Sequence, residues 1–427
     1  MRVPMRSLVA LLTLALVPDA YGQFAQYTPP GAAAGGGGGE SNEVDRLLDE
    51  ARWRVGPFRL APYFGLEGLG YVDNAYAGTE EGVSDVTATA GAGLAVYLPT
   101  GPDVVWLAEA ELRYFWWQEL EERRNAGGRL GAGMLADFNR LDLELRAGRE
   151  LDERIVTSEL PQRALVESDF ASAETALRLG RKTELYAGAT RRRFRDESDQ
   201  IDDPRAADFA AVDRDETLLD AGIGWSPTDR WTLRLGVQRS EVEFEPGGVN
   251  LDNEGTSPVL GIDYTGPRFA ASADVARRTL DPAPGSSFVP FEQESGSVSV
   301  SAGSPQGLQL GVYANRNLVY SLIEGYDYFT ADRAGVWLGA EIGHRTRIAL
   351  FGEQGENDYT SSDIAVVPRT DDVAAWGAQL SIELSRRLRL QLGGSEAEYD
   401  SALPGFDRTV TTFTSSLSLA TDSLIWR

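Results

Sequence analysis

The sequence predicts an all-β fold: a transmembrane up-and-down antiparallel β-barrel of about 18 strands. Three observations lead there. Connections alternate short and long from about residue 58 onward, the segments between them alternate apolar and polar residues with period two, and aromatic residues gather at the segment ends.

Short turns fall at Pro99-Thr100-Gly101-Pro102, Asn139-Arg140, Gly180-Arg181-Lys182, Ser226-Pro227-Thr228-Asp229, Thr265-Gly266-Pro267, Ser304-Pro305-Gln306-Gly307, Gly343-His344-Arg345-Thr346 and Ser385-Arg386-Arg387. Longer polar stretches lie between them, at 72–84, 152–167, 195–214, 280–289 and 357–370. Strands joined by short turns at one end and long loops at the other give an up-and-down barrel, and an even strand number brings both termini to one side. About 16 strands would differ from this reading by one hairpin.

The segment from Trp106 to Trp116 shows the pattern best. Trp106, Ala108, Ala110, Leu112, Tyr114 and Trp116 fall on one face, and Leu107, Glu109, Glu111, Arg113 and Phe115 on the other. The first face has aromatic ends and an aliphatic middle. Its length suits the 9–11 tilted residues that cross a bilayer. A midplane Arg or Lys facing lipid costs roughly 2–4 kcal/mol, so the charged face is expected to look inward. Leu141, Leu143, Leu145 and Ala147 against Asp142, Glu144, Arg146 and Glu150 repeat the pattern, as do Leu219, Ala221, Ile223 and Trp225 against Glu216 and Asp220. The other strands are expected near 58–71, 86–98, 127–138, 170–179, 183–194, 230–244, 256–264, 268–279, 290–303, 308–318, 326–342, 347–356, 371–384, 388–399 and 408–420. In 230–244, Arg239 falls on the apolar face, so either a bulge shifts the register or the strand has already left the apolar layer. The stretch 290–303 is mostly Ser and Gly, with Val298, Val300 and Ala302 on its apolar side.

The N-terminus has a different character. Arg2 and Arg6, an apolar run from Leu8 to Val17 and the small residues Ala20-Tyr21-Gly22 read as a secretory signal peptide over 1–22. The run is too short for a spanning helix, which needs roughly 20 apolar residues. Residues 23–55 read as a flexible segment, glycine-rich at Gly31 and from Gly35 to Gly39. It carries a short helix from Ser41 to Trp53, with Val44, Leu47, Leu48 and Ala51 on one face. That helix is expected as a periplasmic stub, with a lumen plug as the alternative. Residues 56–427 form the barrel.

Composition narrows the function classes. Cysteine is absent, which removes disulfides and thiolate chemistry. A formal charge of -25 argues against a nucleic-acid partner, which would need clustered Lys and Arg. The single histidine, His344, lies in a short turn, where it does not meet the buried geometry of a catalytic triad. Clustered His or Cys ligands for zinc are missing, so no metal or cofactor is expected. The acidic run from Asp196 to Asp215 lacks a defined calcium-loop motif and reads as a solvated loop.

What remains is a polar lumen. Its expected lining is Glu109, Glu111, Arg113, Asp142, Glu144, Arg146, Arg178, Glu184, Arg192, Asp220 and Arg234. The expected interfacial girdles include Trp106, Trp116, Trp225, Trp231, Tyr264 and Phe269. Location in the cell outer membrane follows, with outer-membrane lipid and the barrel-assembly machinery as expected partners.

One short pattern carries a family likeness. Gly56-Pro57-Phe58-Arg59-Leu60-Ala61-Pro62, then Gly70-Tyr71-Val72-Asp73-Asn74-Ala75-Tyr76 and the pair Ser84-Asp85, resemble the opening of the beta-barrel porin 2 family. The similarity of pattern runs from about residue 54 to the end. Members of that family are often linked to exopolysaccharide or capsule loci, so the resemblance implies a role near polysaccharide export. The expected function is a porin-like channel for small hydrophilic solutes, or an accessory to that export, rather than an enzyme. The alternative is a structural or surface-interaction barrel whose lumen is blocked by its loops or by residues 41–53.

Overall fold

The computed structural model describes residues 48, 51, 53–73, 83–155, 157, 159, 163–198, 213–245, 250–304, 307–385, 388–403 and 405–420. The signal peptide, the glycine tether, most of the 41–53 helix and most of the 196–215 loop lie outside the described residues. The strands run in chain order as β1 (Trp53–Val55), β2 (Phe58–Val72), β3 (Asp85–Pro99), β4 (Val104–Trp117), β5 (Asn125–Asp137), β6 (Leu141–Ile155), β7 (Arg163–Arg178), β8 (Thr183–Asp196), β9 (Arg214–Thr228) and β10 (Trp231–Phe244). They continue as β11 (Asn253–Thr265), β12 (Phe269–Pro282), β13 (Phe291–Gly303), β14 (Leu308–Tyr320), β15 (Tyr328–Ile342), β16 (Thr346–Thr360), β17 (Thr370–Glu383), β18 (Leu388–Ser401) and β19 (Arg408–Ala420). From β2 to β19 each strand pairs antiparallel with the next, and β19 pairs with β2, so eighteen strands close on themselves.

β1 stands outside the ring and folds back on the start of β2. The turn between them is Gly56-Pro57, with Gly56 at φ 61°. A glycine with positive φ followed by proline fits a type II′ hairpin turn, a local reason for two residues of the Gly-Pro-Phe motif. A second positive-φ glycine, Gly68 at φ 57°, marks a bulge in β2, where the register against β3 shifts between Glu67 and Gly70. The neighbouring pairing of β2 with β19 shifts as well, between Ser415 and Leu417.

The two faces separate as the alternation requires. On β4, Trp106, Leu112 and Tyr114 are 48%, 78% and 47% exposed on the outer surface, whereas Leu107, Glu109 and Phe115 are buried on the inner one. Arg239 keeps an unbroken register opposite Leu219 and Thr256 and pairs with Glu254 at 2.8 Å. It therefore faces outward without a bulge, on a strand that has risen past the apolar band. The same effect corrects several boundaries. β6 runs to Ile155 and β7 starts at Arg163, inside a stretch that reads as loop from sequence, and β16 continues to Thr360. Beyond the apolar band neighbouring residues are alike, polar in Asp152-Glu153-Arg154 and apolar in Ala164-Leu165-Val166, so alternation no longer marks a strand that backbone pairing still holds.

Glycines on the inner wall serve a packing purpose. A Cβ on Gly222 would sit 2.3 Å from the Tyr186 hydroxyl, one on Gly335 2.4 Å from the Tyr313 ring, and one on Gly311 2.2 Å from the Trp337 indole. Aromatic side chains thus lie flat across bare backbone on neighbouring strands, which keeps them against the wall. Gly222→Ala is expected to lift Tyr186 off the wall and destabilise the barrel by about 1–3 kcal/mol. A lower unfolding temperature in heat-modifiability gels would register this, and an unchanged one would contradict the packing argument.

Candidate channel lumen

The inner face of β4 to β12 carries charges that bond along and across strands. Arg113 donates to Glu111 at 2.8 Å and pairs with Asp152 at 3.1 Å. Arg129 meets Glu150 at 2.6 Å, and Arg178 meets Asp142 at 2.6 Å and Asp137 at 3.5 Å. Arg146 pairs with Glu144, two residues away on its own strand. Arg234 bridges Asp263 and Asp274, the second at 2.9 Å. The Tyr63 hydroxyl donates to Glu109 at 3.0 Å from β2. A guanidinium drawn flat between carboxylates keeps its desolvation small and its fork satisfied.

All eleven lining candidates thus lie on the inward face. Eight join the network just described. Glu184, Arg192 and Asp220, on β8 and β9, make no ion pair among the described residues. The Asp220 carboxylate lies over Gly188 and that of Glu184 over Gly224, each on the neighbouring strand. The girdle candidates lie outward: Trp225, Trp231 and Phe269 are strongly exposed, and Trp231, Tyr264 and Phe269 stack in sequence with ring centroids 4.8 and 5.7 Å apart.

The long-loop end of the lumen is filled more than strand alternation implies. Phe288, Phe291, Tyr320 and Tyr328 pack together, with Phe288 and Tyr328 centroids 5.3 Å apart. The Tyr320 hydroxyl reaches Asn253 at 3.1 Å, three strands away. Arg369 lies between the rings of Tyr359 and Phe406, at 4.4 and 4.3 Å, and donates to Asp371 at 2.8 Å. Arg408 covers Tyr399 at 4.3 Å.

Glu159, between β6 and β7, enters this region from the far side of the barrel. Its side chain accepts hydrogen bonds from Ser321 Oγ at 2.6 Å and from the Leu322 amide at 2.7 Å, both in the β14–β15 connection. Its carbonyl accepts a bond from Arg408 at the start of β19. These contacts join elements that are not neighbours in the ring, so they cross the interior. At the opposite end, Leu48 and the fully buried Ala51 pack on inward-facing Ala61, Ala95, Tyr97, Val105 and Leu107, and Arg59 donates to the Leu48 carbonyl at 2.7 Å. Leu48 is helical. Sequence reasoning missed Glu159, Arg369, Asp371 and Arg408. The i, i+2 spacing of Arg369, just before β17, and Asp371, within it, was the available signal, and the loop reading of 357–370 concealed it.

Neither a family model nor a curated protein sequence matches the chain. Solved structures do. A BenF-like porin from Pseudomonas fluorescens Pf-5 aligns with a TM-score of 0.54 at 12% identity, covering 84% of this chain and 98% of its own. The outer membrane protein opdK from Pseudomonas aeruginosa aligns with a TM-score of 0.51 at 13% identity, covering 84% and 98%. OccAB4 from Acinetobacter baumannii gives 0.51 at 12%, again covering 84% and 98%. The fold is that of an outer-membrane porin. At this level of identity the likeness extends to the barrel and leaves the cargo open.

Removing Arg113 would strand Glu111, which is 9% exposed, and Asp152. Arg113→Met is expected to lower stability by about 2–3 kcal/mol, less than a fully buried pair because the lumen is wet. Thermal unfolding in detergent measures it, and a neutral result would mean the carboxylates find water or Arg129 instead.

Proposed function

We propose that the protein sits in the outer membrane and passively conducts small hydrophilic solutes. The observation that carries this is the closed eighteen-strand ring with charges on its inner face and apolar side chains outside. An interior of this size exceeds what wall side chains fill, and the glycine–aromatic packing keeps bulky rings against the wall. The fold shared with outer-membrane porins supports a channel reading. The finer placement in the beta-barrel porin 2 family, and with it a role near polysaccharide export, rests on the Gly56–Pro62 and Gly70–Tyr76 motifs.

Planar-bilayer recording of the purified, refolded barrel tests conduction. Stable open steps are expected, and a folded barrel that stays silent would refute the channel. Within those steps, Asp220→Asn with Glu184→Gln is expected to move the reversal potential in a salt gradient toward anion preference, and Arg192→Gln toward cations. These three side chains make no ion pair among the described residues.

A second reading, a plugged barrel, is favoured by one observation: Leu48 and Ala51 pack on the inner wall at the short-turn end. Deleting residues 41–51 is expected to raise the conductance step, whereas an unchanged step would take this segment out of the solute path.

A further inference from the structure

We propose that the inner wall of β14 to β17 is a binding platform for uncharged oligosaccharides, with Tyr313, Trp337 and Phe351 as the rings on which sugar residues stack. The passage of such solutes rests on the channel reading above; the platform itself stands on the geometry of the wall.

The three rings form one surface. Tyr313 and Phe351 are each the sixth residue of strands that start at Leu308 and Thr346, and Trp337 is the sixth from the end of β15 at Ile342. They therefore lie near one height. They are also contiguous in the sheet: Tyr313 is opposite Gly335, Trp337 opposite both Gly311 and Phe351, and Phe351 opposite Gly377. Each ring lies over a glycine of the next strand, where an added Cβ would come within 2.4 Å of it. With bare backbone beneath, the ring rests flat on the wall and turns one face to the lumen. All three side chains are half-buried, as rings covered on one side must be. Tyr313 is fixed further by its hydroxyl, which donates to Glu353, and Glu353 faces Arg333 at 3.7 Å.

The surroundings of the rings decide the ligand class. Ser297, Ser299, Asn315, Gln379, Ser381 and Thr414 share the inward face of β13 to β19 with them. Hydroxyls and amides thus flank the platform on both sides, with Arg333 and Glu353 as a charged pair at the Tyr313 edge. The other arc, β4 to β12, carries the arginine–carboxylate network. The lumen has one charged wall and one that is aromatic and mostly neutral.

A sugar ring matches the second wall. Its axial C–H groups make an apolar face that packs on an aromatic ring. Its hydroxyls need partners that both donate and accept, which Ser, Thr, Asn and Gln side chains do. A charged solute would find its partners on the opposite wall instead. Neighbouring strands lie about 4.8 Å apart, so the four strands β14 to β17 give a platform about 14 Å across, the length of a trisaccharide.

The test adds maltohexaose or laminarihexaose to the full barrel in planar bilayers and reads the sugar concentration that half-blocks the current. Trp337→Leu and Phe351→Leu, each confirmed as folded by heat-modifiable mobility, are compared with Trp337→Phe, which keeps a ring, and Trp225→Leu, which removes an outward one. Each inward ring lost is expected to raise the half-blocking concentration about two- to tenfold. Trp337→Phe is expected to stay near wild type and Trp225→Leu to match it. Equal block in wild type and both inward leucine variants, or no block by either sugar, overturns the platform. Benzoate blocking at lower concentration than either sugar, with the same dependence on Trp337, would assign the rings to aromatic solutes and also overturn it. Calorimetric titration of the detergent-solubilised barrel with the same two sugars reads binding without conduction. Binding that depends on Trp337, in a barrel silent in bilayers, would keep the platform and refute the channel. A conducting barrel that neither binds nor is blocked by the sugars would refute the platform and keep the channel.

Discussion

The pairing of β19 with β2 is the constraint on which the rest of this structure depends. An open sheet of this length would leave two rows of amide and carbonyl groups unpaired, and in hydrocarbon each unsatisfied group costs several kcal/mol. Closure removes both rows at once. It also creates an inside and an outside, so the period-two alternation of every strand acquires a physical meaning that a single strand lacks. The bulge at Gly68 lies in the closing strand, where the register shifts against β3 and against β19.

Given closure, the inner face has to be both polar and roomy. The chain meets these demands with two devices. Arginines lie between carboxylates of adjacent strands, as Arg234 does between Asp263 and Asp274, so charge is kept close to the wall. Aromatic rings lie over glycines on neighbouring strands, as Tyr186 does between Gly222 and Gly236. Charges that make no ion pair among the described residues, Glu184, Arg192 and Asp220 among them, add their field to the lumen. The long-loop end is built differently, with stacked rings and clamped arginines that resemble a protein core more than a pore wall.

Strand identity, facing and the short-turn end were legible because they follow from local alternation and turn chemistry. Glu109, Arg146 and Arg234 could be placed inward from their neighbours alone, and Trp231 and Phe269 at an end from their distance to a turn. Strand limits such as Ile155 and Arg163 were not legible, because next to them neighbouring residues are alike, polar in Asp152-Glu153-Arg154 and apolar in Ala164-Leu165-Val166, and the alternation stops carrying information. Arg239 shows the transition within one strand.

By itself the sequence determined a cysteine-free all-β chain whose strands alternate and connect as a porin-like barrel requires. Periodicity is a property of near neighbours, and near neighbours suffice for that. Only the tertiary structure decided which charges cancel and which remain, how rings fold onto glycines, and that Glu159 meets Ser321, Leu322 and Arg408. Those contacts join residues far apart in sequence, and their partners are chosen by the curvature of the closed wall.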